Sequence, residues 1–236
     1  MELNALRTLN AERRERRAAT LVTDLGDGDV RVIRESDPIG GPLGEAVAKA
    51  FRSGRSQIVE VEGRSVFLNV NLPPPRIVII GAVHISQALA PMARIAGFDV
   101  VIVDPRTAFA TRDRFGDVQL HAEWPQAVLA QRPLDAFTAL VAVTHDPKID
   151  DFPLQAALAA QCFYVGALGS RKTHAMRVER FLTHGVAAGD IERIHAPIGL
   201  DIAASTPAEI AVAVLAEIVQ ALRSRGLAGQ AGRSVA

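Results

Sequence analysis

From Arg76 onward the chain alternates short, nearly continuous aliphatic runs with amphipathic stretches. Runs at 76–80 (RIVII), 98–103 (FDVVIV), 137–143 (FTALVAV) and 162–166 (CFYVG) predict strands, with weaker ones near 117–120 and 192–195. Apolar residues at helical spacing predict helices over 84–96, 123–131, 151–160, 170–184 and 206–223. Strands without polar alternation are buried on both faces, and strand–helix alternation joins parallel neighbours through right-handed crossovers. The expected architecture is therefore α/β, a doubly wound and mostly parallel sheet. Thr206-Pro207-Ala208-Glu209 gives the last helix a capping box with proline at its first helical position.

Upstream the pattern is mixed. Residues 2–18 set Leu3, Leu6, Leu9 and Ala18 against arginines interleaved with Glu12 and Glu15, which predicts an amphipathic helix rather than a basic arm. Strand-type runs follow at 20–23, 30–34, 57–61 and 65–70, with a helix over 43–53. Turn signals at Gly26-Asp27-Gly28-Asp29 and Glu62-Gly63 complete a small α+β domain. Pro73-Pro74-Pro75 cannot propagate a helix or donate to a ladder, so the boundary falls there. The expected division is 1–72, 73–225 and a flexible tail over 226–236.

Composition narrows the function classes. Apolar residues make up 49% and aromatics 5%, which suits an aliphatic α/β core. The 26 basic and 26 acidic residues cancel, so no global field draws in nucleic acid or an anionic membrane, and neither is an expected partner. No leader-type segment or window of about 18 uncharged apolar residues occurs, which predicts a cytoplasmic protein. A single cysteine, Cys162, excludes an intramolecular disulfide and a multi-thiolate metal site; its surroundings make it a buried small hydrophobe.

In open parallel sheets ligands bind beyond the carboxyl ends of the strands, where helix N-termini offer unpaired N–H groups. The first such end is RIVIIGAVHISQALA. Gly81 can make the tight turn, but Val83 and Ser86 stand where a dinucleotide fingerprint has glycines, and His84 opens the helix. The turn therefore reads equally as a nucleotide site or as a Rossmann-type turn without one. The second strand delivers Asp104-Pro105-Arg106, a carboxylate where a ribose would be held, or a local ion pair. The third delivers Thr144-His145-Asp146-Pro147-Lys148-Ile149-Asp150-Asp151. His145, Asp146 and Asp150 can there ligate a divalent cation or pair imidazole with carboxylate, unless the loop is merely polar and Asp150 or Asp151 caps the next helix. The fourth, Gly166 to His174, combines Gly169, Ser170, Arg171 and Lys172 as an anion site, or as a serine cap followed by solvated charges. Asp201, after His195-Ala196-Pro197-Ile198-Gly199-Leu200, adds one carboxylate.

The segments THDPKID, YVGALGSRKTHAMR and HAPIGLDIAASTPAEIAVAVLAEI, with VVIVDPRTAFATRDRF before them, together resemble the XdhC/CoxI family of xanthine dehydrogenase accessory proteins over about residues 73–223. The resemblance implies a Rossmann-like C-terminal domain in a chaperone rather than a turnover enzyme. Such proteins bind molybdenum cofactor (molybdopterin), protect it while its sulfido ligand is installed, and pass it to a molybdenum hydroxylase of the xanthine or carbon monoxide dehydrogenase type. A cysteine desulfurase and a second copy of the chain are further implied partners. The family's GAGH turn falls on Gly81, Ala82, Val83 and His84, with valine replacing glycine. Its acidic–arginine pair falls on Asp104 and Arg106, and its THD loop on Thr144, His145, Asp146 and Asp150. Its GSR loop falls on Gly169, Ser170 and Arg171, and its PIGLD loop ends on Asp201. These are the implied cofactor-binding positions. The N-terminal part departs from the pattern: Ile39-Gly40-Gly41-Pro42-Leu43-Gly44-Glu45 stands where the family carries a cysteine, and a second cysteine-glycine-glycine motif is absent. Two other readings compete, an NAD(P)-dependent oxidoreductase using the same edge, which Val83 opposes, and a scaffold with a degenerate ligand site.

Overall fold

The computed structural model describes residues 3–224, so the tail at 226–236 lies outside the described residues. The chain divides into two compact units, one ending at Pro73 and the other spanning Pro74–Arg223. In the first, helix α1 (Leu3–Arg14) precedes strands β1 (Ala19–Asp24) and β2 (Val30–Arg34). Helix α2 (Gly41–Ser53), β3 (Gln57–Val61) and β4 (Arg64–Asn71) follow. The strands form an antiparallel sheet in the order β2-β1-β4-β3. Glu62 and Gly63 both take positive φ, 52° and 78°, which closes β3 onto β4 with Val61 opposite Arg64.

Helix α1 ends four residues earlier than the sequence pattern predicts. Arg16 turns left-handed at φ 53°, and the side chain of Glu12, almost wholly buried, takes Arg17 Nε at 2.6 Å and Arg34 Nε at 3.0 Å. A buried carboxylate needs such partners, and reaching them reverses the chain. Ala5 and Leu9 then pack on Ala19 and Leu21.

The second unit runs β5 (Arg76–Ile80), α3 (His84–Ile95), β6 (Asp99–Val103), α4 (Arg112–Phe115), β7 (Gln119–His121), α5 (Pro125–Gln131) and β8 (Thr138–Ala142). It continues through α6 (Pro147–Ala159), β9 (Tyr164–Ala167), α7 (Arg171–Thr183), α8 (Ala188–Ile191), β10 (Ile194–His195) and α9 (Pro207–Ser224). All six strands are parallel, in the order β10-β9-β8-β5-β6-β7. Alternate residues feed two cores. Ile77, Ile79, Ile102 and Val141 pack with Leu89 of α3 and Val214 of α9, while Val78, Ile80, Val103 and Leu140 pack with Leu154 of α6 and Phe181 of α7. Each buried aliphatic side chain contributes roughly 1.5–3 kcal/mol, which is why these strands carry no polar alternation.

The chain moves outward from β5 through β6 and β7, then crosses back to β8, β9 and β10. The switch point, where ligand crevices open in such sheets, lies between β5 and β8. Helix α6 begins at Pro147 rather than at 151. Asp146, not Asp150 or Asp151, is the cap, its Oδ1 accepting the Lys148 N–H at 3.0 Å with proline in the first turn. The short helices α4 and α8 are too brief to leave a periodic signal. At α9 the capping box forms as predicted: Glu209 Oε2 accepts the Thr206 N–H at 3.0 Å, and Thr206 Oγ1 accepts the Glu209 N–H at 3.2 Å.

Candidate functional site

The Gly81 turn is built from hydrogen bonds that use up most of its own polar groups. Gly81 takes φ 120°, and a Cβ there would stand 2.9 Å from Thr144 Cγ2, so only glycine fits. Ser86, fully buried, donates its hydroxyl to the Gly81 carbonyl, which gives a positive role to a serine standing in a glycine's place. The Ala82 N–H donates to Asp104 Oδ2 at 2.7 Å, and Arg114 Nη1 donates to the Ala82 carbonyl at 2.9 Å. Arg106 closes the same cluster, donating from Nε and its backbone N–H to Asp104 Oδ1, each at 2.9 Å, and from Nη2 to Oδ2 at 2.7 Å. Burial pushes the Asp104 carboxyl up, but the Arg106 guanidinium and the two backbone donors outweigh it and hold the group below the usual aspartate range. Asp104 has no exposed surface. It therefore acts as a latch of the turn, with both oxygens committed. Arg106 stacks over Phe109 at 4.7 Å and keeps a third of its side chain exposed towards solvent. His84 is exposed at the first position of α3, whose N-cap Val83 supplies no side-chain bond.

The loop after β8 is organised around Thr144. Its Oγ1 donates to Asp150 Oδ1 at 2.7 Å and accepts the Asp146 N–H at 3.0 Å. His145 is exposed with φ 64°, a left-handed conformation that few side chains adopt. Asp146 is spent on the helix cap, and Asp150 faces inward, about 1% exposed. Among the described residues no group of three or more His, Cys, Asp or Glu side chains is gathered as a metal site. Burial raises the Asp150 carboxyl to about 6, against the Thr144 hydrogen bond and the attraction of Arg177, which pull it down. Asp150 and Asp146 both lie close enough to Arg106 to strengthen its charge.

After β9, Gly169 takes φ 137° and Ser170 caps α7, its Oγ accepting the Thr173 N–H at 3.2 Å. Arg171 and Lys172 are exposed. The serine is thus a cap, and the cations beside it stand in solvent at the helix N-terminus. Two turns on, Arg177 is buried, donating from Nη2 to the Leu168 carbonyl at 3.3 Å. Sequence reasoning missed Arg177. Its signal is positional: His174, Arg177 and Phe181 share one helical face, and Phe181 belongs to the core. Arg114 was missed too: it lies in the VVIVDPRTAFATRDRF segment, but nothing local singles it out from Arg112 nearby.

Asp201 stands apart. It is exposed beyond β10, with β9 and β8 between its strand and β5. The loop before it is held by Glu217 of α9, which was also missed. Glu217 accepts from Tyr164 Oη at 2.6 Å and from the Gly199 N–H at 2.8 Å, and bonds His195 Nδ1 at 2.8 Å. Gly81, His84, Asp104, Arg106, His145, Asp146, Asp150, Gly169, Ser170 and Arg171 thus sit on the loops, or in the first helical turns, that follow four neighbouring strands. In the other unit Ile39–Leu43 of the thiol-free segment lines a cavity of about 660 Å³ with Asp24, Arg31 and Arg64. Gly44 is obligatory there, since a Cβ would fall 2.1 Å from the Ile39 carbonyl oxygen.

A six-stranded parallel sheet with ligand-type loops gathered at its switch point defines a Rossmann-like domain. The model of the XdhC Rossmann domain matches residues 77–218, more than half of the 236-residue chain, and the chain belongs to the XdhC family. It is 37% identical over 161 residues to the uncharacterized protein YqeB of Escherichia coli K12, covering 66% of this chain and 29% of that protein. It is 32% identical over 157 residues to a probable xanthine dehydrogenase subunit of Bacillus subtilis 168, covering 66% and 46%. With the molybdenum cofactor insertion chaperone PaoD of E. coli K12 it shares 32% over 146 residues, covering 62% and 40%. The matched region thus spans less than half the length of each of these relatives. A solved xanthine dehydrogenase of Bacillus halodurans has a TM-score of 0.66 at 22% identity, over 99% of this chain and 70% of that one, a likeness of fold. Among the described residues no helix is long and apolar enough to cross a membrane.

Proposed function

We propose that this chain binds molybdenum cofactor as cargo at the carboxyl edge around β5, β8 and β9, and assists its maturation and insertion into a molybdenum hydroxylase of the xanthine dehydrogenase type. The observation that carries the reading is the placement of the family loops: THDPKID and GALGSRKTH follow neighbouring parallel strands of an XdhC Rossmann domain. The name of the relative PaoD supports cofactor insertion as the task. A phosphorylated pterin needs cations and free amides, and Arg106, Arg171, Lys172 and the first turn of α7 supply them. His84 and His145 are the exposed imidazoles at the same edge. No step of turnover is required of these groups, only holding and release, in the cytoplasm where the client is assembled.

On this reading sulfur handling does not run through Cys162. Cys162, the single cysteine, is 1% exposed, and burial pushes its thiol up to about 12. A thiol so placed carries no persulfide, so the sulfur comes from a partner such as a cysteine desulfurase while this chain holds the cofactor.

The test is retention. The chain mixed with molybdenum cofactor, and separately with NADPH, is passed through gel filtration. The reading expects the pterin to co-elute and the nucleotide to separate, with Arg171→Ala weakening retention. Co-elution of NADPH alone would instead support an oxidoreductase, and retention of neither by a folded chain would leave a scaffold.

A further inference from the structure

One pair of buried charges is left over by everything above. Asp150 and Arg177 are about 1% and 3% exposed. Asp150 is held by Thr144, just past the end of β8, and Arg177 by the Leu168 carbonyl, just past the end of β9. Those strands are adjacent and parallel, with Ala142 opposite Ala167, so the two anchors follow the ends of neighbouring strands. The two side chains attract one another electrostatically, yet neither hydrogen-bonds the other. Among the described residues, Asp150 Oδ2 and Arg177 Nε and Nη1 meet no hydrogen-bond partner, and His174 Nδ1, on the same helix face as Arg177, meets none either. Buried polar atoms of this kind are tolerated where a partner arrives from outside.

We infer that Asp150 and Arg177 together read the lactam edge of a 2-amino-4-oxopyrimidine ring, the end of the molecule shared by pterins and guanine. This assignment rests on the cofactor-binding reading and names the part of the cargo that each residue meets. One free carboxylate oxygen accepts from the ring N–H or the amino group, while two free guanidinium donors face the neighbouring oxo group. Such an edge offers a donor and an acceptor side by side, as the pair requires. A phosphate fits poorly, because the carboxylate repels it, so the anionic end of the cargo belongs to the exposed cations at Arg171 and Lys172. Both readers lie out of solvent contact, so the ring reaches them as the Thr144 or Leu168 loop shifts. The strained His145 is in the first of these loops.

The probe is 6-hydroxymethylpterin, followed by quenching of its fluorescence on the full chain, with the corresponding 2,4-diaminopteridine as control. The diamino compound keeps the size and the 2-amino group but replaces the oxo acceptor by a donor and the ring N–H donor by an unprotonated nitrogen. The pair predicts saturable pterin binding, weakened about tenfold or more in the diamino compound, and weakened similarly by Asp150→Asn or Arg177→Lys in chains with unchanged circular dichroism. Equal binding of the two heterocycles by the wild-type chain overturns the assignment without any variant having to fold. Equal pterin binding by wild type and by folded D150N and R177K overturns it as well, and water then satisfies the buried atoms. If the wild-type chain retains molybdenum cofactor but shows no pterin selectivity, the cargo reading stands and this one fails. If it selects the pterin but does not retain the cofactor, the reverse holds.

Discussion

The Ala82 N–H reaches Asp104 Oδ2 at 2.7 Å, so the carboxylate at the end of β6 closes the turn at the end of β5. Arg106 completes the latch with two further side-chain bonds. Asp104→Asn removes the charge these donors share and is expected to cost about 2–4 kcal/mol in urea unfolding at pH 7. The sign with pH follows from the lowered carboxyl. Its contribution is complete above the ordinary aspartate range near ~3.9 and is lost as pH falls through the lower folded value. The gap between wild type and D104N therefore narrows on acidification; a gap that widened would contradict the latch.

The same bond bears on the oxidoreductase alternative. Restoring the missing glycine with Val83→Gly removes the branched side chain that would crowd a pyrophosphate, but the Ala82 N–H remains committed to Asp104. NADH fluorescence titrations of wild type and V83G are expected to show no saturable binding in either. A V83G chain that bound NADH at micromolar concentration would mean that Val83 alone had closed a working nucleotide site.

The strands, their parallel order of winding and the hairpin at Glu62-Gly63 were legible because each rests on a local rule, continuous apolar runs or a two-residue turn. The loops that bear the site were legible as positions but not as roles. Asp104 read as a ribose carboxylate or as the local partner of Arg106, and it is that partner; what the sequence could not show is that it also latches the Gly81 turn, or that Asp146 caps α6, choices set by a neighbour distant in sequence and by a helix start placed four residues too late. Arg177 closes the YVGALGSRKTHAMR segment, but nothing in its local pattern marks a helical arginine as a site residue. Its anchor, the Leu168 carbonyl, exists only once α7 folds back on β9.

Cys162 gives a test of how the chain handles sulfur. The thiol is buried and its pKa raised, first by loss of solvent and then by the nearby Asp135 charge. It should react with DTNB at a rate set by unfolding, far below that of a free thiol, and become fully reactive in denaturant. Treating the chain with a cysteine desulfurase and cysteine should leave its mass unchanged by a sulfur atom. A mass gain of one sulfur on the native chain would instead make Cys162 a carrier.

Asp150 behaves in the opposite sense to Asp104. Burial holds its carboxyl at about 6, with Arg177 and Thr144 already acting to lower it and Asp151 to raise it. Below ~3.9 the group is protonated in both states and makes no difference. As pH rises towards about 6 the unfolded chain gives up the proton while the folded chain keeps it, so stability falls through that window and levels off above it. Asp150→Asn keeps an oxygen for the Thr144 hydroxyl and never charges. It should match the wild type at pH ~3.5 and exceed it at pH ~7.5 by roughly 1–3 kcal/mol, read from urea midpoints at the two pH values. A wild-type chain as stable as D150N at pH 7.5 would mean that the charged carboxylate is already satisfied in the free protein. A difference that grows with pH marks a group held at a cost to folding, which is where a binding residue is found when its partner is a ligand.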